Sequence, residues 1–291
     1  MILVIGATGQ LGGLIARSLL DRGEAVRILT RDGSAYDDLR AAGAQPAMGD
    51  LKDAPSLAAA CAGVDAVVTT ATGAAGIGDD TVETVDRLGN SQLIDAAAMA
   101  GVRRFVFVSV LGADGGSPVP VVRAKGETEQ RLRDSGMAWT ILQPDVFMDR
   151  MIPAVVGGSA LTGGPVTLVA GPERRHSFVA MRDVAAYALA ALDQQRAERQ
   201  TLVIGGPRPI SWRDVVAAFE HELGRALEVR TVPPGASIPG LPDFVTGLVT
   251  FLNTYDSPID SADLAEAYGV APTSLDEFVR GFVAANRLRV K

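Results

Sequence analysis

Ile2-Leu3-Val4-Ile5-Gly6-Ala7-Thr8-Gly9-Gln10-Leu11-Gly12 is the stretch on which the fold turns. Four apolar residues, three of them β-branched, read as a short buried strand. Glycines then recur as G-x-x-G-x-x-G, and Gln10 opens a run with apolar residues at helical spacing. A strand, a glycine turn and a helix in succession need glycine for three reasons. The tight turn needs positive φ, a pyrophosphate must reach the backbone, and the helix must pack close to its strand. The free amides and dipole at the helix start then receive an anion. The spacing is one residue wider at its start than G-x-G-x-x-G. It predicts a dinucleotide diphosphate held at Gly6, Thr8, Gly9, Gln10, Leu11 and Gly12.

Outward from that turn the pattern repeats. Apolar runs at 25–30, 44–48, 65–71, 104–109 and 139–143 alternate with helix-spaced stretches at 55–62, 81–100 and 123–135. Gly23, Gly63, Gly101 and Gly136 stand where helices end. The alternation predicts an α/β fold, a Rossmann-type doubly wound parallel sheet with right-handed crossovers. After Gln143 the rhythm gives way to Gly- and Pro-rich sequence over 144–172. A late unit restores it, with a strand at 178–180, a helix at 182–192 and a strand at 201–204. The tail holds an amphipathic helix N-capped by Ser211, a Pro/Gly passage at 233–242 and two further helical pieces. We expect residues 1–144 and 175–205 to form the dinucleotide-binding domain. Residues 145–174 and 206–291 would form a smaller C-terminal substrate lobe, with the ligand in a cleft between the two. The segments 157–165 and 233–242 read either as lids or as plain surface loops. The run 244–252 reads as helix core.

The chain has 291 residues, enough for a continuous core, and 47% are hydrophobic. A net charge of −7, with no clustered basic stripe, argues against nucleic acid or an acidic membrane as partner. Cys61 is the sole cysteine and admits no intrachain disulfide; in its Ala-rich stretch it reads as a buried thiol. Met1 runs straight into an apolar run too short for a membrane span and without a basic leader, so a cytoplasmic protein is expected. Neither His176 nor His221 has partners at metal-ligand spacing, so no metal is expected.

The second strand ends Leu29-Thr30-Arg31-Asp32, where an NAD site usually carries an acidic residue for the ribose 2′-hydroxyl. Arg31 instead offers a planar fork of donors suited to a 2′-phosphate, which favours NADP(H). Asp50 and Leu51 follow the third strand and suit the adenine amino group and ring; a helix cap by Asp50 or Asp53 is the alternative. Pro144 and Phe147 follow the last core strand, where backbone and an apolar wall would meet the nicotinamide.

These residues carry a resemblance. Val4 through Gly12, Arg31, Gly49-Asp50-Leu51 and Arg104-Phe105-Val106-Phe107-Val108-Ser109 resemble the NmrA-like family of atypical short-chain dehydrogenase/reductases. Lys125-Gly126-Glu127-Thr128-Glu129, Trp139-Thr140-Ile141-Leu142-Gln143-Pro144 and Phe178 through Ala185 continue it. The likeness is strongest to bacterial NADPH:quinone oxidoreductases of that type and fades beyond about residue 190. It implies an NADP(H)-binding Rossmann domain with a variable C-terminal lobe, in a family where some members turn over NADPH and others only sense it. Typical short-chain reductases use Tyr-x-x-x-Lys. Lys125 fits the lysine, which holds the nicotinamide ribose, but Val121 stands where the proton-donating tyrosine would be. Gln143 stands where relatives often carry Arg.

Without that tyrosine, hydride transfer still suits an acceptor whose product anion is stable. The leading expectation is an NADPH-dependent oxidoreductase acting on a small hydrophobic quinone-like or conjugated carbonyl substrate. Lys125, Ser109 and His176 are the candidate catalytic residues. Each has a plainer reading: Lys125 paired with Glu129 at i+4, Ser109 capping a loop, His176 packing. The alternatives are an NADP(H)-sensing regulator that acts on a protein partner without turnover, and an isomerase or tailoring enzyme that retains its cofactor. A homodimer is compatible with all three.

Overall fold

The structure, a computed structural model, describes residues 1–238 and 240–287. Its centre is β1 (Ile2–Ile5), fully parallel to β2 (Val26–Thr30) on one side and β4 (Ala66–Thr69) on the other. The sheet extends through β3 (Gln45–Met48) at one margin and β5 (Arg104–Val108), β6 (Ala138–Pro144) and β8 (Gln200–Ile204) toward the other. Its order is β3-β2-β1-β4-β5-β6-β8, the doubly wound arrangement expected. Ile5 is level with Leu29 and with Thr69, so the chain reverses its winding direction at the carboxyl ends of β1 and β4. Ligands of such sheets bind there. At the margin, Pro46 of β3 pairs in register with Ile28.

The strands read as near-continuous apolar runs because both faces are covered. Leu3, Ile5, Leu57, Cys61, Val67, Leu93, Phe105, Phe107 and Ile141 form one continuous cluster. Each fully buried Phe or Leu there contributes roughly 1.5–3 kcal/mol relative to exposure. Cys61, wholly buried on α3 (Ala54–Cys61), has its thiol pushed up to about 11 by desolvation, as an inert core residue should.

The helix read over 81–100 is in fact two windings. Val82–Gly89 is a π-helix that passes directly into α4 (Asn90–Met99). Thr81 and Thr84 cap it reciprocally, and Gly89 lies so close to the Leu51 side chain that a Cβ would stand 2.5 Å from it. α5 (Pro120–Arg133) begins three residues earlier than the apolar spacing indicated, because Pro120 supplies the preset φ of a first helical turn. Two further helices are α1 (Gln10–Asp21), which opens at the glycine turn, and the short α2 (Asp37–Ala41), the latter unmarked by any apolar period.

The chain divides into two compact units. One comprises Met1–Pro144, Val184–Val203 and Tyr268–Val270; the other comprises Asp145–Asp183, Ile204–Ala267 and the chain from Ala271. Residues 175–183, read from sequence with the first domain, thus belong to the second unit. Phe178 explains this, since its ring packs edge-on against Trp212 within that unit's core at 5.2 Å. The strand expected at 178–180 reduces to one isolated bridge, Val179 with Phe147. The second unit has a parallel pair that the Gly/Pro background concealed, β7 (Val166–Val169) with β9 (Val229–Val232).

The segment 157–165 is no lid at its start. α6 (Met148–Ile152), a π-turn at Pro153–Gly157 and α7 (Gly158–Thr162) form one continuous helix. Gly157 is there because the Phe282 ring would lie 2.7 Å from a Cβ. The first residue of α8 (Met181–Asp193) donates its amide to Asp149 of this helix at 2.7 Å, and α9 (Trp212–Leu223) with the predicted Ser211 cap, α10 (Asp243–Leu252) and α12 (Leu275–Arg287) share its core; α11 (Ala262–Tyr268) lies between the last two in sequence. Pro239, inside the 233–242 passage, and residues 288–291 of the expected lobe lie outside the described residues.

Candidate cofactor and active site

Gly6 leaves β1 with φ +80, and a Cβ there would meet Thr70 Oγ1 at 2.6 Å. Gly12 is tighter still, its missing Cβ falling 2.2 Å from the Gly6 carbonyl oxygen. These two glycines therefore let the first turn of α1 lie against the end of β1. Gly9 is the N-cap and has no side chain to satisfy the amides that follow. Thr8, Gly9 and Gln10 are exposed, whereas Leu11 is buried. The turn therefore presents unmatched backbone donors outward from a glycine-bare surface, the arrangement that receives a diphosphate.

Beside it, two cations converge from separate strand ends. Arg31 Nη1 donates to Asp80 Oδ2 at 2.8 Å and lies 3.6 Å from Asp50; Lys52 Nζ donates to Asp80 Oδ1 at 2.5 Å and is also 3.6 Å from Asp50. The hydrogen bond to Asp80 is the largest influence raising both cations' pKa. Lys52, then Arg31, hold the Asp80 carboxyl below its ordinary range against partial burial. Asp50 accepts from the Lys52 amide at 2.8 Å rather than capping α3. Leu51 turns inward, where it packs in the sheet's core, so its side chain is not displayed for an adenine ring. Sequence reasoning missed Lys52 and Asp80. The doublet Asp50-Leu51 drew attention away from the lysine after it, and Asp80 lies about fifty residues from Arg31 in sequence.

Lys125 is almost wholly buried. Its Nζ donates to the carbonyls of Val108 at 3.2 Å and Ala71 at 3.4 Å, at the carboxyl ends of β5 and β4, and sits 4.8 Å over the Phe107 ring. Asp86 on the π-helix faces it, with Oδ1 3.1 Å away as an ion pair too bent for an aligned hydrogen bond. The other Asp86 oxygen accepts from the Gly73 amide at 2.8 Å. Glu129, the helical neighbour read as an alternative partner for Lys125, is engaged elsewhere. It accepts from Ser109 Oγ, from Gln143 Nε2 at 2.8 Å and from Arg133 at 2.8 Å. The Ser109 hydroxyl proton is thus committed inward. Asp86 carried no sequence signal beyond being an acid on a helix, where a solvated face is the ordinary expectation, and Glu129 was marked only as a helical neighbour of Lys125.

Pro144, buried at the end of β6, accepts from the Leu111 amide. Phe147 lies in the second unit as the N-cap of α6. His176 lies there too and is buried, with Nε2 donating to Leu252 O at 2.9 Å and Nδ1 2.6 Å from Ser257 Oγ. Ser257 Oγ is also 2.7 Å from Asp145 Oδ2, whose carboxyl burial pushes upward. One hydroxyl proton cannot serve both neighbours, so a further proton rests on His176 Nδ1 or on Asp145. Both ring nitrogens of His176 are occupied by these contacts. Of the candidate residues, then, the structure groups the glycine turn with Arg31 and Asp50, and Lys125 with the strand ends; His176 lies in the second unit. No set of side chains suited to a metal ion occurs among the described residues, and none of their helices is long and apolar enough to cross a membrane.

The profile of a family described as NAD(P)H-binding matches residues 6–195, from the first glycine of the turn to the end of the first unit's late helix. The chain belongs to that family. An NAD(P)H azoreductase of Xenophilus azovorans is 35% identical over 225 residues, covering 77% of this chain and 74% of its own. A photosystem II assembly factor, Ycf39 of Cyanophora paradoxa, is 31% identical over 232 residues, covering 80% and 71%. In fold, the chain superposes on an NADPH-dependent quinone oxidoreductase from Escherichia coli with a TM-score of 0.79 at 23% identity, covering 97% of this chain and 99% of that one. A nicotinamide dinucleotide fits the residues present: the missing Cβ atoms at Gly6 and Gly12, the bare cap at Gly9, and paired cations at the neighbouring strand ends.

Proposed function

We propose that this protein is an NADP(H)-dependent reductase of quinone-like, azo or conjugated carbonyl acceptors. The observation that carries the reading is the convergence of Arg31 and Lys52 beside the bare N-terminus of α1. Two cations there suit a 2′-phosphate, where an NAD site would present a carboxylate alone. NADP(H), when bound, supplies a hydride from its nicotinamide ring. The chain's part is to bind, orient and screen. The amides of Gln10, Leu11 and Gly12 hold the diphosphate, and Lys125 exchanges a carbonyl partner for a ribose hydroxyl. Val121 cannot protonate a substrate, and Ser109 has its proton on Glu129. An acceptor whose reduced anion is stable, and which takes its proton from water, suits a site of this kind. The relationship to the azoreductase supports such acceptors.

The test is oxidation of NADPH and of NADH by the purified protein with a panel of quinones and azo dyes. Turnover should be faster with NADPH. No acceleration by any acceptor would remove the reductase reading while leaving cofactor binding intact. It would then favour the second reading, a cofactor-bound assembly or sensing protein, which Val121 and the likeness to the assembly factor also support.

A further inference from the structure

The Asp80 carboxylate is chelated by two cations, one on each oxygen. Arg31 and Lys52 reach it from the ends of β2 and β3, and nothing but Asp50, at 3.6 Å from each, competes for them among the described residues. That geometry is the one a phosphate monoester would meet, with two oxygens on a guanidinium and an ammonium. Asp80 itself stands at the foot of an arm, beside Asp79, whose carbonyl accepts from Thr84 Oγ1 at 2.6 Å, so that only the Asp80 side chain is free to turn. The arm's base is fixed, Gly73 by Asp86 and Thr81 by its reciprocal cap with Thr84. Its tip turns at Gly76 (φ +62) and Gly78 (φ +60), with open space beside both, and exposes Ile77 to solvent. Glycine at these positions lets the tip rearrange without steric penalty.

We propose that Asp80 is a built-in placeholder for the cofactor's 2′-phosphate and that Lys52 is the second cation of that subsite. This rests on the NADP(H) reading above and goes beyond it in assigning a competitor. The ion pairs are partly exposed, so solvent screens them and a doubly charged phosphate outbids a single carboxylate. On binding, the phosphate takes Arg31 and Lys52, and the Asp80 side chain rotates off them. A cofactor without the 2′-phosphate leaves the Asp80 pairs in place. Asp80 therefore weakens NADP(H) selectively, and sets how far this site prefers it over NAD(H).

Titration calorimetry of the full chain with NADP+, NAD+ and adenosine 2′,5′-bisphosphate reads this without turnover. Asp80→Asn should tighten NADP+ and the bisphosphate by about three- to tenfold, and Lys52→Ala should weaken both by about tenfold or more. NAD+ should change by less than about twofold in either variant. If Arg31→Ala weakens NADP+ while the Lys52 and Asp80 variants match wild type, the placeholder is overturned and the NADP(H) reading stands. If Asp80→Asn weakens NADP+, Asp80 organises the cations instead of competing with a ligand, and the proposal is again overturned. If wild type takes up neither NADP+ nor the bisphosphate, the NADP(H) reading fails, and this inference with it.

Discussion

Lys125 and Asp86 bind each other's fate. Both are buried, and among the described residues Asp86 pairs with no cation other than Lys125. Removing one partner leaves an uncompensated charge in a low-dielectric interior, which costs roughly 3–5 kcal/mol, whereas removing both is far milder. Lys125→Met should therefore lower unfolding free energy by about that much, and Lys125→Met with Asp86→Asn should recover a large part of it. Urea denaturation of the single and double variants checks this. Equal losses in both would mean that the lysine's stem and its carbonyl bonds, not the ion pair, matter. At this scale the sequence announced Arg31 through its place at a strand end and Lys125 through its resemblance to the lysine of Tyr-x-x-x-Lys. It could not announce their partners, because Asp86 and Asp80 reach them across the sheet's loops from distant parts of the chain. Leu51 was misread for a related reason: a residue after a strand end can turn to the ligand or to the core, and Gly89 left the space that drew it inward.

Among the elements, the glycine turn is the one whose geometry the sequence made plain, because only glycine relieves a close backbone contact. Gly12→Ala would place a Cβ 2.2 Å from the Gly6 carbonyl oxygen, and α1 must move off β1 to accommodate it. We expect a loss of roughly 1–3 kcal/mol in stability together with loss of dinucleotide binding. Gly9→Ala, whose Cβ would sit 3.2 Å from the same oxygen, should be milder in both. Calorimetry and denaturation of the pair test it, and wild-type binding by Gly12→Ala would rule out the close-packing account. The π-winding at Val82–Gly89 was not legible, since its apolar spacing mimics an α-helix. The pair β7–β9 was hidden likewise, each strand being four residues long within Gly- and Pro-rich surroundings.

For the molecule as a whole, acid stability is a contest between two kinds of carboxylate. Exposed acids paired with cations, such as Asp65 and Glu83, have lowered pKa and favour the fold above the ordinary carboxylate range, a contribution lost as pH falls. Asp145 and Asp183 are raised, chiefly by burial, and act in the opposite sense. Their protonated forms suit the folded state, so their contribution is present in acid and is lost as pH rises through the raised value. Asp183→Asn keeps a partner for Thr273 Oγ1 and its amide, both now bonded to the carboxylate. The variant should gain stability relative to wild type as pH rises from about 4 to 7, measured by thermal melts across that range. A difference independent of pH would show that Asp183 is ionised at no cost in the fold. The doubly wound sheet that frames all this ends at β3, where Pro46 stands on the outermost strand. Proline leaves that rung without an amide hydrogen, so an incoming strand finds the ladder interrupted. Copies of this chain should thus be unable to knit their sheets into a continuous ribbon along that border, which guards a concentrated solution against fibrillar growth from it.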